Sequence, residues 1–141
     1  MGNTFKHTMK FEIIDLPKIK DPRGNLSVIE KDIIPFAIER VYFLYDVPSG
    51  AERGGHAHKE QKELLVALSG SFTVLLDDGT YREEVCLNAP DKGLLIPSGY
   101  WRELKKFSSG SVCLVVSSGV FDEEDYIREY DKFKLFVNRF S

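Results

Sequence analysis

No stretch of this 141-residue chain approaches the ~20 consecutive apolar residues that a membrane-spanning helix requires. A membrane partner is therefore not expected. Excess basic charge is also missing. Nineteen Lys and Arg against 22 Asp and Glu leave a net charge of −3, which argues against nucleic acid as a partner. Cysteine is limited to Cys86 and Cys113, both inside apolar, strand-like runs. Thiols so placed read as buried and free in a cytoplasmic protein, with a disulfide the lesser reading. The amino-terminal "MGNTFKHTMK" lacks a signal-peptide core, and Lys6 sits where a myristoylation motif needs Ser or Thr. Met9 offers an alternative start, which would make residues 1–8 dispensable. Internal repeats, low-complexity tracts and linkers are absent too, so residues 1–141 are expected to form a single domain.

What the chain does have is many short β-runs: "LSVIE", "RVYFLYDV", "ELLVALSG", "FTVLLDDG", "YREEVCL", "GLLIP" and "SVCLVVSS". Turn residues at Gly70, Asp78-Gly79, Pro90, Pro97-Ser98-Gly99 and Ser108-Ser109-Gly110 punctuate them. Even spacing of this kind predicts an all-β sandwich or barrel. Asp78-Gly79 between two such runs predicts a hairpin closed by a type I′ turn. From Asp122 the pattern changes. Tyr126, Tyr130, Phe133, Val137 and Phe140 are spaced four, three, four and three, which predicts an amphipathic helix with Asp122 as its N-cap and Asp125 in the first turn. Its apolar stripe is expected to pack on the outside of the barrel.

The chemistry-bearing stretch is "GAERGGHAHKEQKELLVALSG", residues 50–70. His56 and His58 are two apart, so on a strand both imidazoles share one face. With Glu63 they form a donor set suited to Fe, Mn or Ni. The pattern Gly50, five residues, His56-x-His58, four residues, Glu63, six residues, Gly70 resembles the first motif of the cupin superfamily. Gly93-x-x-x-Pro97-x-Gly99-x-x-Arg102 resembles the second. A metal-binding cupin would carry His where this chain has Arg102. A permanently charged guanidinium beside a dication is unfavourable in a low-dielectric pocket. Arg102 is better suited to an anionic substrate or a carboxylate neighbour, so neither a metal nor another cofactor is expected.

The likeness extends from about Phe11 to about Phe136. "DPRGNLSVIE", "IPFAIERVYFLYDVP", "ERGGHAHKE", "LLDDG", "GLLIPSGYWREL" and "FDEEDYIREYDKF" follow one another in order and spacing. Together they resemble the cupin-fold sugar 3,4-ketoisomerases, the WxcM-like proteins. That resemblance implies a double-stranded β-helix (a jelly-roll barrel) with a carboxy-terminal helix. It also implies a metal-free homodimer, joined through strands near the amino terminus. The activity implied is transfer of the keto group of a dTDP-linked 4-keto-6-deoxy sugar from C4 to C3, feeding 3-amino-3,6-dideoxyhexose synthesis.

Such a shift removes the C3 proton, passes through an enediolate and returns a proton at C4. It needs a base titrating near neutrality, a stabiliser for the developing oxyanion, and cations for a diphosphate. Imidazole suits the first task. By the resemblance, His56 is the catalytic base and His58 its companion in returning or relaying a proton. Glu63 either orients an imidazole or is simply solvated. Guanidinium forks match phosphate oxygens, and the resemblance places Arg40 and Arg53 around the nucleotide. Tyr42 shares a strand face with Arg40 and either bonds the sugar or packs. Trp101 is expected to pack rather than stack on a base. Arg23 and Arg102 stand at positions that vary among the relatives. Both are expected at the sugar end, where they influence which face of C4 is protonated, galacto or gluco. A 3,5-epimerase of the same fold and a non-catalytic nucleotide-sugar-binding cupin are the alternatives.

Overall fold

The structure is a computed structural model that describes residues 9–139; the expectations for residues 1–8 and for Phe140 lie outside them. Two five-stranded antiparallel sheets face each other. The first takes the order β1 (Glu12–Asp15), β9 (Lys92–Ile96), β6 (Glu63–Ser69), β11 (Val112–Ser117), β4 (Arg40–Leu44). The second takes the order β12 (Tyr126–Ile127), β5 (Arg53–His58), β10 (Trp101–Lys105), β7 (Phe72–Asp77), β8 (Arg82–Leu87). A small hairpin of β2 (Lys18–Ile19) and β3 (Leu26–Ser27) lies beside them. The expected jelly-roll barrel with one carboxy-terminal helix is what forms.

Sequence patterning follows which faces are covered. β6 reads almost continuously apolar because both its faces are buried. Leu65 and Ala67 enter the barrel interior with Phe72, Leu76 and Leu94. Leu64 and Val66 point outward, where Leu16 and Ile34 of the amino-terminal segment cover them. On the opposite side, Ala57, Trp101, Ile127 and Phe133 form a third cluster beneath α1 (Tyr130–Asn138). Trp101 is a packing residue, as expected. Its ring meets Tyr130 and Phe133, and its Nε1 donates to Glu103 at 2.8 Å.

Three local expectations need correction. The helix starts at Tyr130, with Glu129 at its N-cap, not at Asp122. Asp122 instead caps a short 3₁₀ turn, Glu123–Asp125, and Tyr126 is a strand residue paired with His58. The aromatic spacing was shared by both conformations, and pairing with β5 decides between them. The β7–β8 hairpin forms, but its turn is not type I′. Of its loop residues only Gly79 has positive φ (99°), while Asp78 Oδ1 accepts from the Thr80 and Tyr81 amides. Both thiols are free, yet only Cys113 is buried; Cys86 is exposed on β8.

One irregularity shapes the barrel mouth. Along β5 and β10, Arg102 faces His56 and Leu104 faces Arg53. Three steps on β5 therefore match two on β10. The extra residue is a bulge at Gly54-Gly55, with Gly54 at φ +84°. A side chain there would also meet Leu104 Cδ1 at 2.8 Å. The positive φ favours glycine, and any larger residue would also have to displace the Leu104 side chain.

Candidate active site

One end of the barrel interior is polar. A cavity of about 250 Å³ opens there, and Tyr42, Arg53, His56, Glu63 and Arg102 are among the residues that line it. His56 and Arg102 are cross-strand partners on β5 and β10, which brings their side chains onto one face within contact range. Tyr42 and Glu63 come from the facing sheet, on β4 and β6.

Glu63 is the hub. It is 1% exposed, so the solvated alternative falls. Oε1 accepts from Arg102 Nη1 at 2.7 Å, and Oε2 accepts from the Tyr42 hydroxyl at 2.7 Å. His58 Nε2 lies 3.4 Å from Oε2. Burial works to raise the Glu63 pKa, but the His58 ring, Arg102 and Tyr42 outweigh it and hold the carboxyl at about 2. Burial and the Glu63 charge push the Tyr42 hydroxyl far above its usual range, so it stays protonated.

The histidines share a face, with ring centroids 4.9 Å apart, edge to face. Their surroundings differ. His56 lines the cavity, and its Nε2 is buried with no hydrogen-bond partner. Burial first, then the charge of Arg102, push its pKa down to about 2. His56 is thus a neutral imidazole, ready to accept a proton. His58 is fully buried behind it, and its Nδ1 is bonded to Asp125 Oδ2 at 2.8 Å.

The other expected residues lie off the cavity wall. Arg40 shares the face of Tyr42, but its guanidinium lies over the Tyr42 ring and bonds Gln61 Oε1 at 3.1 Å. Arg23 is held by Asp21 at the tip of the β2–β3 hairpin, its side chain 89% exposed. Three residues that the sequence reading assigned no site role close the site instead. Asp125 anchors His58. The Tyr126 ring packs on both imidazoles at 5.1 and 4.5 Å. Arg128 lies 4.2 Å over that ring and lines the cavity. All three belong to the "FDEEDYIREYDKF" block, whose spacing was absorbed by the helical reading.

His56, His58 and Glu63 bring their ligand atoms within 4.8 Å of one another. They do not suit a metal ion. The Arg102 guanidinium, buried and bonded to Glu63 at 2.7 Å, would put a fixed positive charge beside a dication.

Comparison with known proteins agrees with this geometry. Residues 9–138 match the family model described as "WxcM-like, C-terminal". A TDP-4-oxo-6-deoxy-alpha-D-glucose-3,4-oxoisomerase from Aneurinibacillus thermoaerophilus is 42% identical over 134 residues, covering 94% of this chain and 96% of that one. A mutant of the 3,4-ketoisomerase QdtA from Thermoanaerobacterium thermosaccharolyticum, solved with TDP-4-keto-6-deoxyglucose, superposes with a TM-score of 0.90. It is 37% identical, covering 92% of this chain and 94% of that one. The dTDP-4-dehydrorhamnose 3,5-epimerase of Bacillus anthracis shares the fold alone, at 15% identity and a TM-score of 0.73 over 82% of this chain and 76% of that one. With the family model matching residues 9–138 and a relative 42% identical over nearly the whole chain, the chain belongs to the WxcM-like family.

Proposed function

We propose that this protein is a 3,4-ketoisomerase acting on TDP-4-keto-6-deoxyglucose, a single catalytic domain working in the cytoplasm to supply 3-amino-3,6-dideoxyhexose synthesis. The observation that carries the reading is His56, a neutral, unpartnered imidazole on the cavity wall beside a buried guanidinium. His56 takes the C3 proton, and Arg102, whose Nη2 has no protein partner, donates to the oxyanion that develops. The cavity suits a hexose. Arg53 and Arg128 at its wall are placed to grip the diphosphate. Incubation with TDP-4-keto-6-deoxyglucose, followed by trapping with a 3-aminotransferase, tests the reading. A 3-amino sugar is expected. Inversion at C3 and C5 with the keto group still at C4 would mark an epimerase, and tight binding without solvent-proton exchange would mark a binding protein.

The reaction is expected to need no metal, since Arg102 and the committed Glu63 leave no favourable place for one. Turnover should be unchanged after exhaustive treatment with chelator. Loss of turnover that one specific divalent ion restores would refute this.

A homodimer is the proposed assembly. Among the described residues β4 pairs only with β11, leaving one edge free; its outward side chains Val41 and Phe43, and Tyr45 just beyond its end, are 52%, 56% and 61% exposed. Ile13, Ile19 and Leu26 of the amino-terminal strands are exposed as well. An apolar face on an unpaired edge strand is an association surface. Light scattering at micromolar concentration should give twice the chain mass, and Phe43→Asp should shift it toward the monomer. A wild-type monomer would defeat the proposal.

A further inference from the structure

Asp77, in the "LLDDG" block, is 1% exposed and takes three donors. Its Oδ1 accepts from the Gly79 amide at 2.7 Å. Its Oδ2 accepts from Arg82 Nε at 3.0 Å and from the Tyr130 hydroxyl at 2.6 Å. Tyr130 opens α1 and belongs to the "DYIREYDKF" block, 53 residues further along the chain. A hydroxyl on a buried carboxylate makes a strong, charge-assisted bond. The proposed chemistry at His56 makes no use of it.

Sheet register links this bond to the cavity. Ile127, Ala57, Trp101 and Asp77 lie in one row across β12, β5, β10 and β7. Residues in such a row share a face, here the outer one, where Ala57, Trp101 and Ile127 pack beneath α1. Tyr126 and Arg128 flank Ile127, so they take the opposite face and line the cavity. β12 is an edge strand of two residues, paired with β5 at Tyr126 and Ile127. Arg128 stands just past it. From there the chain turns back over the row, and Tyr130 sets its ring edge-on to Trp101 at 5.4 Å and its hydroxyl on Asp77. That return crosses three strand spacings, about 14 Å. Arg128 is held twice over. Glu123 grips its guanidinium at 2.7 and 2.9 Å, and its backbone is caught between the β12 pairing and the Tyr130–Asp77 bond.

Resting on the ketoisomerase reading, with Arg128 as a grip on the diphosphate, we propose that Asp77 is a positioning residue for substrate binding. By holding the Tyr130 hydroxyl across the outer face of the sheet, it fixes Arg128 on the cavity wall. Loss of that bond frees the backbone beyond Ile127, and the guanidinium moves with it. His56 and Arg102 stand on β5 and β10, which pair with each other directly, so the proton-abstracting groups keep their places. Affinity and turnover are thus governed by separate parts of the sheet.

The test is a double-variant cycle, read by calorimetric binding of TDP and by KM and kcat with TDP-4-keto-6-deoxyglucose. Tyr130→Phe removes one hydroxyl and keeps the ring against Trp101 and Phe133, so the chain should fold. The Kd for TDP and the KM should each rise about 3–10-fold, the range expected of residues coupled in one network, while kcat stays at the wild-type value. Lys134→Ala is the control. It cuts another tie between the same helix and the same turn, Lys134 Nζ to the Gly79 carbonyl at 2.8 Å, and should lower Tm without moving Kd. Arg128→Ala should weaken TDP binding by itself, and adding Tyr130→Phe to it should change Kd by less than about 2-fold. Four results would overturn the proposal: wild-type Kd in Tyr130→Phe, the same Kd shift in Lys134→Ala, wild-type Kd in Arg128→Ala, or full additivity in the double variant. A kcat that falls as far as KM rises would count against it equally. If wild type binds TDP but neither exchanges at C3 nor isomerises, the ketoisomerase reading falls, and the binding cycle still decides what Asp77 does to Arg128.

Discussion

Replacing His56 with asparagine is expected to lower kcat by about 10²–10⁴-fold, roughly 3–5 kcal/mol of barrier, with affinity for TDP little changed. Asparagine keeps much of the side-chain volume, and the cations proposed to hold the diphosphate, Arg53 and Arg128, are separate residues of the cavity wall. In D₂O the wild type should place deuterium on C3, and the variant should almost cease to. Exchange at the wild-type rate would move the base elsewhere, with His58 the first group to test and Tyr42 the second. The pH dependence gives a second check. Burial and Arg102 depress the His56 pKa from 6.5 to about 2, so the ring stays neutral through the working range. For the free enzyme, kcat/KM should therefore show no limb near pH 6.5. A base so depressed is still expected to take the C3 proton in the proposed reaction, because the enediolate formed at the same moment would supply the missing counter-charge at close range in a low dielectric.

Arg102→Met is expected to destabilise the fold by about 3–5 kcal/mol, because it strands the Glu63 carboxylate in the barrel interior. For a chain of this size that is a fall in Tm of roughly 10–20 °C. Both partners are 1% exposed, and the bond between them is 2.7 Å. Glu63→Gln combined with Arg102→Met removes both charges, and should recover much of the loss. A double variant no more stable than Arg102→Met would show that packing, not the stranded charge, dominates. Acid titration checks the same pair. The Glu63 pKa is depressed from 4.5 to about 2 in the fold, so its contribution is fully present above about pH 4.5 and lost as pH falls toward 2. In Arg102→Met that acid-labile contribution should shrink.

Particular residues show how far the sequence could be read. His56 and His58 share a face because they are two apart on a strand, and no further information is required. Strand propensity marked β4, β6, β7 and β11, whose side chains are mostly Val, Leu, Ile, Phe and Tyr. It missed β10, because "WRELK" alternates between the helix-covered outer layer and the cavity, and neither period nor composition announces that. Asp125 was read as first-turn helix chemistry. Its actual role depends on β12 pairing with β5, sixty-seven residues away from it at His58, a distance over which local pattern carries no signal. Arg40 was placed correctly on the face of Tyr42. That its guanidinium would turn onto Gln61 rather than into the cavity depends on the buried Gln61 and Ser117, which the sequence presents as ordinary polar residues.

The bulge at Gly54 changes the parity of its strand. Before it, odd-numbered side chains face the cavity; after it, even-numbered ones do. That is why Arg53 and His56, three apart and nominally on opposite faces, stand on one wall. The chain gains a cation and a proposed base on adjacent inward stations of a single strand, three residues apart where regular alternation would put them two apart. It follows that the spacing between them is quantised. Deleting one residue between 53 and 56 would erase the bulge without inverting the strand. Straightening it by filling the Gly54 position would instead turn Arg53 out to solvent and leave His56 in place. An enzyme altered in that way would keep its base and lose a grip on the phosphates, a separation of chemistry from binding written into one glycine.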